Sequence, residues 1–264
     1  DSIPSDMGVY FIYKNALKLN KTICKIEMRV AGAKGGISGG TYESLSNVNK
    51  EALKDKEIFK TVINPYGLNP NGEQSGPDKH DLRKVKFDKT SNNWISPFIM
   101  AAINTKIVRR SNALSGYLYG KDFEYDEATL SGKGFNGRLK GILMSIPIAI
   151  VMLAKPGSMI KKIVDKILPS AGEGPSKKDR ENGYFNLRFY VTYKDGSNSV
   201  AKVTGDMDPG YGSTSKMLSE SAVCLAVDQL NGSNGVITPS IAMGENLLER
   251  LKNNSGLTFN IKHL

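Results

Sequence analysis

The alternation of side chains over residues 185–204 is the strongest constraint on what this chain can fold into. Apolar residues or tyrosine occupy every second position from Phe185 to Tyr193, with mostly polar residues between them. Successive side chains of a β-strand point to opposite faces, so this pattern predicts a strand with one buried face. A turn at Asp195-Gly196 and a second stretch, Val200 to Thr204, complete a predicted hairpin. Part of the core must therefore lie on an antiparallel sheet.

Residues 23–31 predict a further strand, in which Ile26, Met28 and Val30 alternate with charged side chains. The alternation indicates one buried side and one side facing solvent. Shorter strands are predicted at 82–88, 123–127 and 257–261, and helices at 6–19, 42–54, 98–114, 208–230 and 238–251. These elements predict a mixed α/β (α+β) fold, with a largely antiparallel sheet flanked by helices.

The charge of the chain favours anionic partners. Its 264 residues carry a formal net charge of +10, which attracts phosphorylated cofactors, acidic carrier proteins, anionic lipid surfaces or nucleic acid. The lysines and arginines are scattered, without a basic helix or the aromatic motif of an RNA-binding sheet. We therefore expect no nucleic-acid partner.

The cysteines and histidines exclude several kinds of site. Cys24 and Cys224 are far apart in the sequence, which favours two core thiols in a reducing, cytoplasmic compartment over a disulfide framework. His80 and His263 form no cluster with zinc-ligand spacing, so no metal site is expected. Neither histidine lies near a nucleophile signature, which argues against a hydrolase.

An uncharged run from Gly141 to Ala154 lies between Lys140 and Lys155. It is shorter than the about 20 residues that span a bilayer, and Pro147 interrupts it. Apolar residues and lysines share the next stretch, 159–168. We favour a buried helix here; in the alternative, residues 141–168 contact a membrane peripherally.

Three polar or glycine-rich segments each lead into a predicted helix: 1–6, 35–41 and 208–216. Glycine allows backbone N–H groups to approach a ligand, and a helix N-terminus favours negative charge. For any one segment, capping and turn formation are the favoured explanation, because every helix needs a start. Three segments in one chain favour a shared ligand face. None matches a complete nucleotide-binding motif.

Two kinds of polar side chain, arginine and tyrosine, are further candidates for ligand binding or catalysis. Arg109 and Arg110 follow Asn104 on the predicted helix 98–114, and a guanidinium can pair a phosphate or carboxylate. Neighbouring helical residues point about 100° apart, so at most one of the two arginines should face a cleft, and a solvated basic face is the alternative. Tyr211 can donate a proton or bind a carbonyl, with simple packing as its alternative.

Six short sequence motifs follow one another along the chain. They are DSIPSDMG (1–8), SGGT (38–41), PFIMAAINTKIVRRS (97–111), GEGP (172–175), DPGYGSTSKMLSESA (208–222) and GVITPSIAMG (235–244). In this order they resemble the saccharopine dehydrogenase-like oxidoreductases, most closely the branch called trans-acting enoyl reductases. The resemblance is weak over 45–95 and 115–170.

The resemblance implies that residues 1–264 form a C-terminal, substrate-side and dimerisation domain, and that residues 1–20 join it to a missing N-terminal Rossmann domain. NAD(P)H would be bound mainly by that missing domain, so this chain alone is expected to be inactive. The implied reaction in lipid metabolism is hydride transfer to an enoyl thioester or a related acyl or lipid-linked substrate, which a carrier protein can present. The implied protein is cytoplasmic, with a homodimer and peripheral membrane contact as further expectations.

The resemblance also suggests roles for individual residues. The predicted cofactor-binding residues are Asp1, Ser2, Ile3, Pro4 and Ser5, and the predicted catalytic residues are Asp6 and Tyr211. The predicted substrate-binding residues are Ser38, Gly39, Gly40, Thr41, Asn104, Arg109, Arg110, Gly212, Ser213 and Lys216. The alternative is a non-catalytic lipid- or membrane-associated interaction protein that has kept the fold.

Overall fold

The computed structural model describes residues 1–36, 38–154, 157–170, 172–230, 232 and 234–264. Within these residues the strands are β1 (Ile23–Lys34), β2 (Lys86–Asp88), β3 (Asn93–Ser96), β4 (Glu124–Gly132), β5 (Tyr184–Tyr193), β6 (Asn198–Gly205) and β7 (Leu257–His263). The helices are α1 (Ile3–Lys18), α2 (Gly39–Ala52), α3 (Lys56–Ile63), α4 (Ala101–Leu114), α5 (Gly134–Leu153), α6 (Met159–Ile167), α7 (Lys177–Glu181), α8 (Gly212–Val227) and α9 (Pro239–Asn254).

The strands form one seven-stranded open sheet in the order β2-β3-β4-β1-β5-β6-β7. Strand β1 runs parallel to β4, and the other neighbouring pairs are antiparallel. The predicted hairpin is β5–β6, paired from Phe185 opposite Gly205 to Thr192 opposite Asn198. The predicted fold class, a mixed and largely antiparallel sheet flanked by helices, is therefore confirmed.

Helix α1 packs directly on the sheet, beside α4 and α9. Gly8 permits this close approach, because a Cβ at that position would lie 2.6 Å from Cζ of Phe189 on β5. The Phe189 ring is itself completely buried, as are Met7 and Ile12 on α1. The core packing of α1 therefore holds the start of that helix, and Asp1 and Ser2 before it, at the sheet.

The prediction that β1 has a solvent-facing side is wrong. Its charged side chains Glu27 and Arg29 are buried, as are Met28 and Val30 on the other face. The Arg29 guanidinium is completely buried and pairs with Glu27 and Asp88, each at 3.0 Å, and with Asp126. Alternation of charge and apolarity could not reveal this, because the residues that cover the charged side come from distant parts of the chain.

The favoured prediction of a buried helix at 141–154 is also wrong. Helix α5 begins seven residues earlier than the uncharged run, at Gly134, and in it only Gly137 and Gly141 are buried. Its 20 residues are long and apolar enough, by length and composition, to cross a membrane. The uncharged run is shorter than the helix because the first turns of α5 contain Arg138 and Lys140.

We predict that Gly8→Ala destabilises the fold by roughly 1–3 kcal/mol, because the added methyl group overlaps a ring that cannot move. Gly40→Ala is the matched control: Gly40 lies in helix α2, and an added Cβ there meets nothing within 4 Å. The control should be neutral or slightly stabilising, since alanine favours helix. Urea unfolding of the three proteins measures both effects, and equal stability of Gly8→Ala and wild type would contradict the packing of α1.

Candidate functional site

All three helix-opening segments contribute residues to one apolar cleft, with a volume of ≈ 190 Å³. The cleft lies where the end of β1 and the start of β5 meet the N-terminal ends of α1, α2 and α4. Its lining residues are Asp1, Pro4, Ser5, Met28, Val30, Ala33, Gly36, Ser38, Thr41, Phe98, Ile99, Met100, Asn104, Phe185, Leu187, Pro209, Gly210 and Met217. The segments thus share a face, as predicted.

Two of these segments touch each other across the cleft wall. Gly35 has a φ of +152°, and a Cβ there would lie 2.6 Å from Cβ of Asp208. A Cβ at Gly210 would lie 2.8 Å from the carbonyl oxygen of Gly36. Glycine is therefore required at both positions by backbone conformation or by close approach.

Several backbone N–H groups of these two segments are hydrogen-bonded within the chain. The buried Asp208 carboxylate accepts from the N–H groups of Gly210, Tyr211 and Gly212 at 2.7–3.0 Å. At α2, Ser38 Oγ accepts from the N–H of Thr41 at 3.3 Å. The glycines serve turn geometry here, and the cleft presents an apolar surface in place of an anion-binding loop.

A polar network forms one wall of the cleft around Asn104 on α4. Ser2 Oγ donates to Asn104 Oδ1 at 2.9 Å, and Asn104 Nδ2 donates to Glu127 Oε2 at 2.9 Å. The hydroxyl of Tyr125 donates to Glu127 Oε1 at 2.7 Å. Asn104 therefore links the start of the chain to a carboxyl group on β4.

Burial raises the pKa of Glu127 to about 7, although hydrogen bonds from Ser5, Tyr125 and Asn104 act in the opposite direction. Ser5 and Asn104 both line the cleft. The carboxyl group is thus one hydrogen bond behind the cleft surface, with a pKa suited to acid–base chemistry near neutral pH.

The structure brings some of the predicted site residues together and separates others. Those that line the cleft are Asp1, Pro4, Ser5, Ser38, Thr41 and Asn104. Those that belong to the same segments without lining it are Ser2, Ile3, Gly39 and Gly40.

Asp6 and Tyr211, the predicted catalytic residues, are not among the residues that line the cleft. The Asp6 carboxylate accepts from Ser111 Oγ and from the N–H and hydroxyl of Ser240, and burial raises its pKa to about 6. The Tyr211 hydroxyl donates to the carbonyl oxygen of Glu173 at 3.2 Å. Asp6 joins α1, α4 and α9 in the interior.

Arg109 and Arg110 are both bonded within the chain. Arg109 is buried and pairs with Asp78 at 2.6 Å, while its other nitrogens donate to backbone carbonyls. Arg110 donates to the carbonyl oxygens of Leu68 and Val236. Neither arginine lines the cleft.

The predicted residues at the start of α8 also make contacts inside the chain. The N–H of Gly212 donates to Asp208, and Ser213 Oγ donates to the carbonyl oxygen of Met207 at 3.0 Å. The Lys216 ammonium pairs with Asp206 at 3.2 Å. The roles assigned to the site residues from the sequence stay predictions.

Sequence reasoning missed Glu127 and the apolar part of the lining. Tyr125 and Glu127 stand two residues apart on β4, a spacing that puts two side chains on one face. That spacing was the available signal, but the burial of the carboxyl depends on α1 and α4. Within the described residues, no group of three or more His, Cys, Asp or Glu side chains could hold a metal ion.

Comparison with known proteins identifies relatives over nearly the whole chain. A Mycobacterium tuberculosis (strain H37Rv) protein provisionally named a trans-acting enoyl reductase is 35% identical over 95% of the chain. Proteins named trans-acting enoyl reductase from Mycobacterium ulcerans and Mycobacterium leprae are 32% and 31% identical over the same share. The chain is a homologue of these proteins.

The chain spans 63% of the length of each of these relatives. No protein-family model matches it, and no solved structure matches it significantly. The relatives support the trans-acting enoyl reductase part of the resemblance. The saccharopine dehydrogenase-like grouping and the assignment to a C-terminal portion stay predictions.

We predict that Glu127 makes stability depend on pH. Its pKa is about 7 in the folded protein against an ordinary value of 4.5, so the folded state holds the proton more tightly. The free energy of unfolding should therefore fall as pH rises from about 4.5 to about 7, by up to ~3 kcal/mol from this group.

Glu127→Gln should remove that part of the pH dependence, because the amide does not titrate. Urea unfolding at a series of pH values measures the slope in both proteins. The contribution of Asp6, whose pKa is also raised, remains in both and acts as an internal control. Identical slopes would contradict the assignment.

Proposed function

We propose that this chain forms the substrate-side part of an NAD(P)H-dependent enoyl reductase that acts on an acyl thioester or a related lipid-linked substrate. The observation that carries the proposal is the convergence of three helix-opening segments on one apolar cleft, in a homologue of proteins named trans-acting enoyl reductase. An apolar cleft with few polar groups suits an acyl chain whose reacting end needs orientation.

The lining residues accommodate only part of a nicotinamide cofactor. Among the described residues, no lysine or arginine lines the cleft, so those residues offer no basic side chain to the phosphates of a dinucleotide. A nicotinamide ring and an acyl chain are flat or apolar groups that the lining can accept. The phosphates and adenosine would therefore be held outside this cleft, as the proposed Rossmann domain requires.

When bound, a nicotinamide cofactor supplies the hydride that reduces the carbon–carbon double bond at its β-carbon. The residues at the start of α1 would hold donor and acceptor in line, and the apolar walls would exclude water. Reduction is completed by a proton at the α-carbon. Glu127, a buried acid hydrogen-bonded to Ser5, would deliver this proton through the Ser5 hydroxyl, while its hydrogen bond from Asn104 would orient the carboxyl group.

The test of this function replaces the matching 63% of one of the relatives with this chain, so that the fusion contains the rest of that relative's sequence. We expect NADPH oxidation to depend on a 2-enoyl thioester and to fall when Glu127→Gln removes the acid. In parallel, calorimetry measures binding of a saturated acyl thioester to the chain alone. If the chain binds the acyl thioester but no fusion oxidises NADPH, the result favours the non-catalytic alternative. If there is neither binding nor NADPH oxidation, the result contradicts the proposal.

A bulky residue introduced at the cleft should weaken binding of long acyl chains more than binding of short ones. Thr41 lines the cleft and is partly exposed at the start of α2, so Thr41→Trp should raise the KM of the fusion for long acyl thioesters by roughly tenfold. Ser44→Trp, one turn further along the same helix and exposed, is the matched control and should leave KM unchanged. Equal KM values for both variants would place the acyl chain elsewhere.

A further inference from the structure

Helices α5 and α6 expose a continuous series of large apolar side chains. On α5 these are Phe135, Leu139, Ile142, Leu143, Ile146, Ile150 and Leu153, each between 43% and 77% exposed. On α6 they are Met159, Ile160, Ile163 and Ile167, between 41% and 78% exposed. The two helices contact each other. An exposed apolar surface of this kind marks an interaction site in a folded protein.

The exposed side chains of α5 point directly away from the body of the protein. At about 100° per residue they fall on one face of the helix, roughly opposite the face that contains Gly137 and Gly141. Those two glycines hold α5 tightly on strands β3 and β4. A Cβ at Gly137 would lie 2.3 Å from the backbone of Gly132, and one at Gly141 would lie 2.8 Å from Ser131 Oγ.

This packing decides how α5 can meet a bilayer. A helix cannot carry an open sheet with it into a bilayer, because the unpaired backbone groups at the sheet edges find no hydrogen-bond partner in the hydrocarbon core. The glycine face of α5 lies on the sheet, so only the outward face is available. The helix can therefore lie in the plane of a membrane surface without any change in the fold.

Basic side chains border the apolar surface. Arg138 and Lys140 lie on either side of the outward face of α5, Lys133 precedes that helix, and Lys162 and Lys166 lie along one edge of the apolar stripe of α6; all five are exposed. The single acid of the two helices, Asp165, is paired with Lys161. The charge around the surface is thus positive, and it complements anionic lipid headgroups.

We propose that the outward face of α5 and α6 binds an anionic membrane surface. The apolar side chains insert below the headgroups, and the lysine and arginine side chains extend to the lipid phosphates. A membrane fits better than a second copy of the chain, because two copies of this face would bring their basic borders together. The inference concerns a surface separate from the cleft and does not depend on the proposed enzymatic function.

Vesicle flotation of the chain tests the proposal. We expect binding to vesicles of phosphatidylcholine with phosphatidylserine, weaker binding to phosphatidylcholine alone, and release by high salt. Leu143→Lys/Ile146→Lys keeps the surface basic but removes two inserted side chains, so its affinity for the anionic vesicles should fall at least about tenfold. Lys162→Gln/Lys166→Gln should also bind at least about tenfold more weakly, through lost charge.

Leu218→Lys/Val227→Lys is the matched control. It makes the same change of charge at two side chains of α8 that are 64% and 68% exposed, and it should bind like wild type. Far-UV circular dichroism and urea unfolding establish that each variant is folded. No binding by wild type, or equal binding by the Leu143/Ile146 variant, overturns the proposal. Light scattering that finds a dimer, reduced to a monomer by Leu143→Lys/Ile146→Lys, also overturns it and makes this face a contact between copies.

Discussion

The ionic cluster around Arg29 is the interaction on which the rest of the structure depends. A guanidinium without access to water is tolerated only when carboxylates and hydrogen bonds replace its hydration. Glu27, Asp88 and Asp126 supply them, so β1, β2 and β4 must meet at one place. Although burial raises the pKa of Asp88, hydrogen bonds from Arg29 and Ser91 outweigh it and hold that pKa below its usual value. Removing any one member of the cluster should destabilise the fold strongly, because it leaves a buried charge without its partner.

The same strand connects this cluster to the cleft. Arg29 points to one face of β1, while its neighbours Met28 and Val30 point to the other face and line the apolar cleft. The register of β1 therefore fixes both the ionic cluster and the cleft lining, because a slip of one residue would turn each side chain to the opposite face of the sheet. Glu127, on the neighbouring parallel strand, contributes the polar wall through Asn104. The cleft is thus built from one face of the sheet and from the helices that lie on it.

Helix α5 follows a different physical rule from α1. The apolar face of α1 is covered by the sheet and by α9. Helix α5 has two apolar faces, of which the narrow one with Gly137 and Gly141 is packed and the broad one is exposed. A helix that is apolar all round normally indicates burial or a membrane. Here the sheet covers one side of the helix, and we propose that a membrane surface covers the other.

The sequence by itself determined the fold class, the β5–β6 hairpin and the three helix-opening segments, because alternation, turns and glycine act over a few neighbouring residues. It also indicated that those segments share a face, and it singled out Asn104, which lines the cleft there. Only the tertiary structure decided that Glu127 and Arg29 are buried, that Asp6 and Arg109 are bonded in the interior, and that α5 is exposed. Burial is set by residues far away in the chain, and local patterns carry no information about which distant side chains arrive to cover a given face.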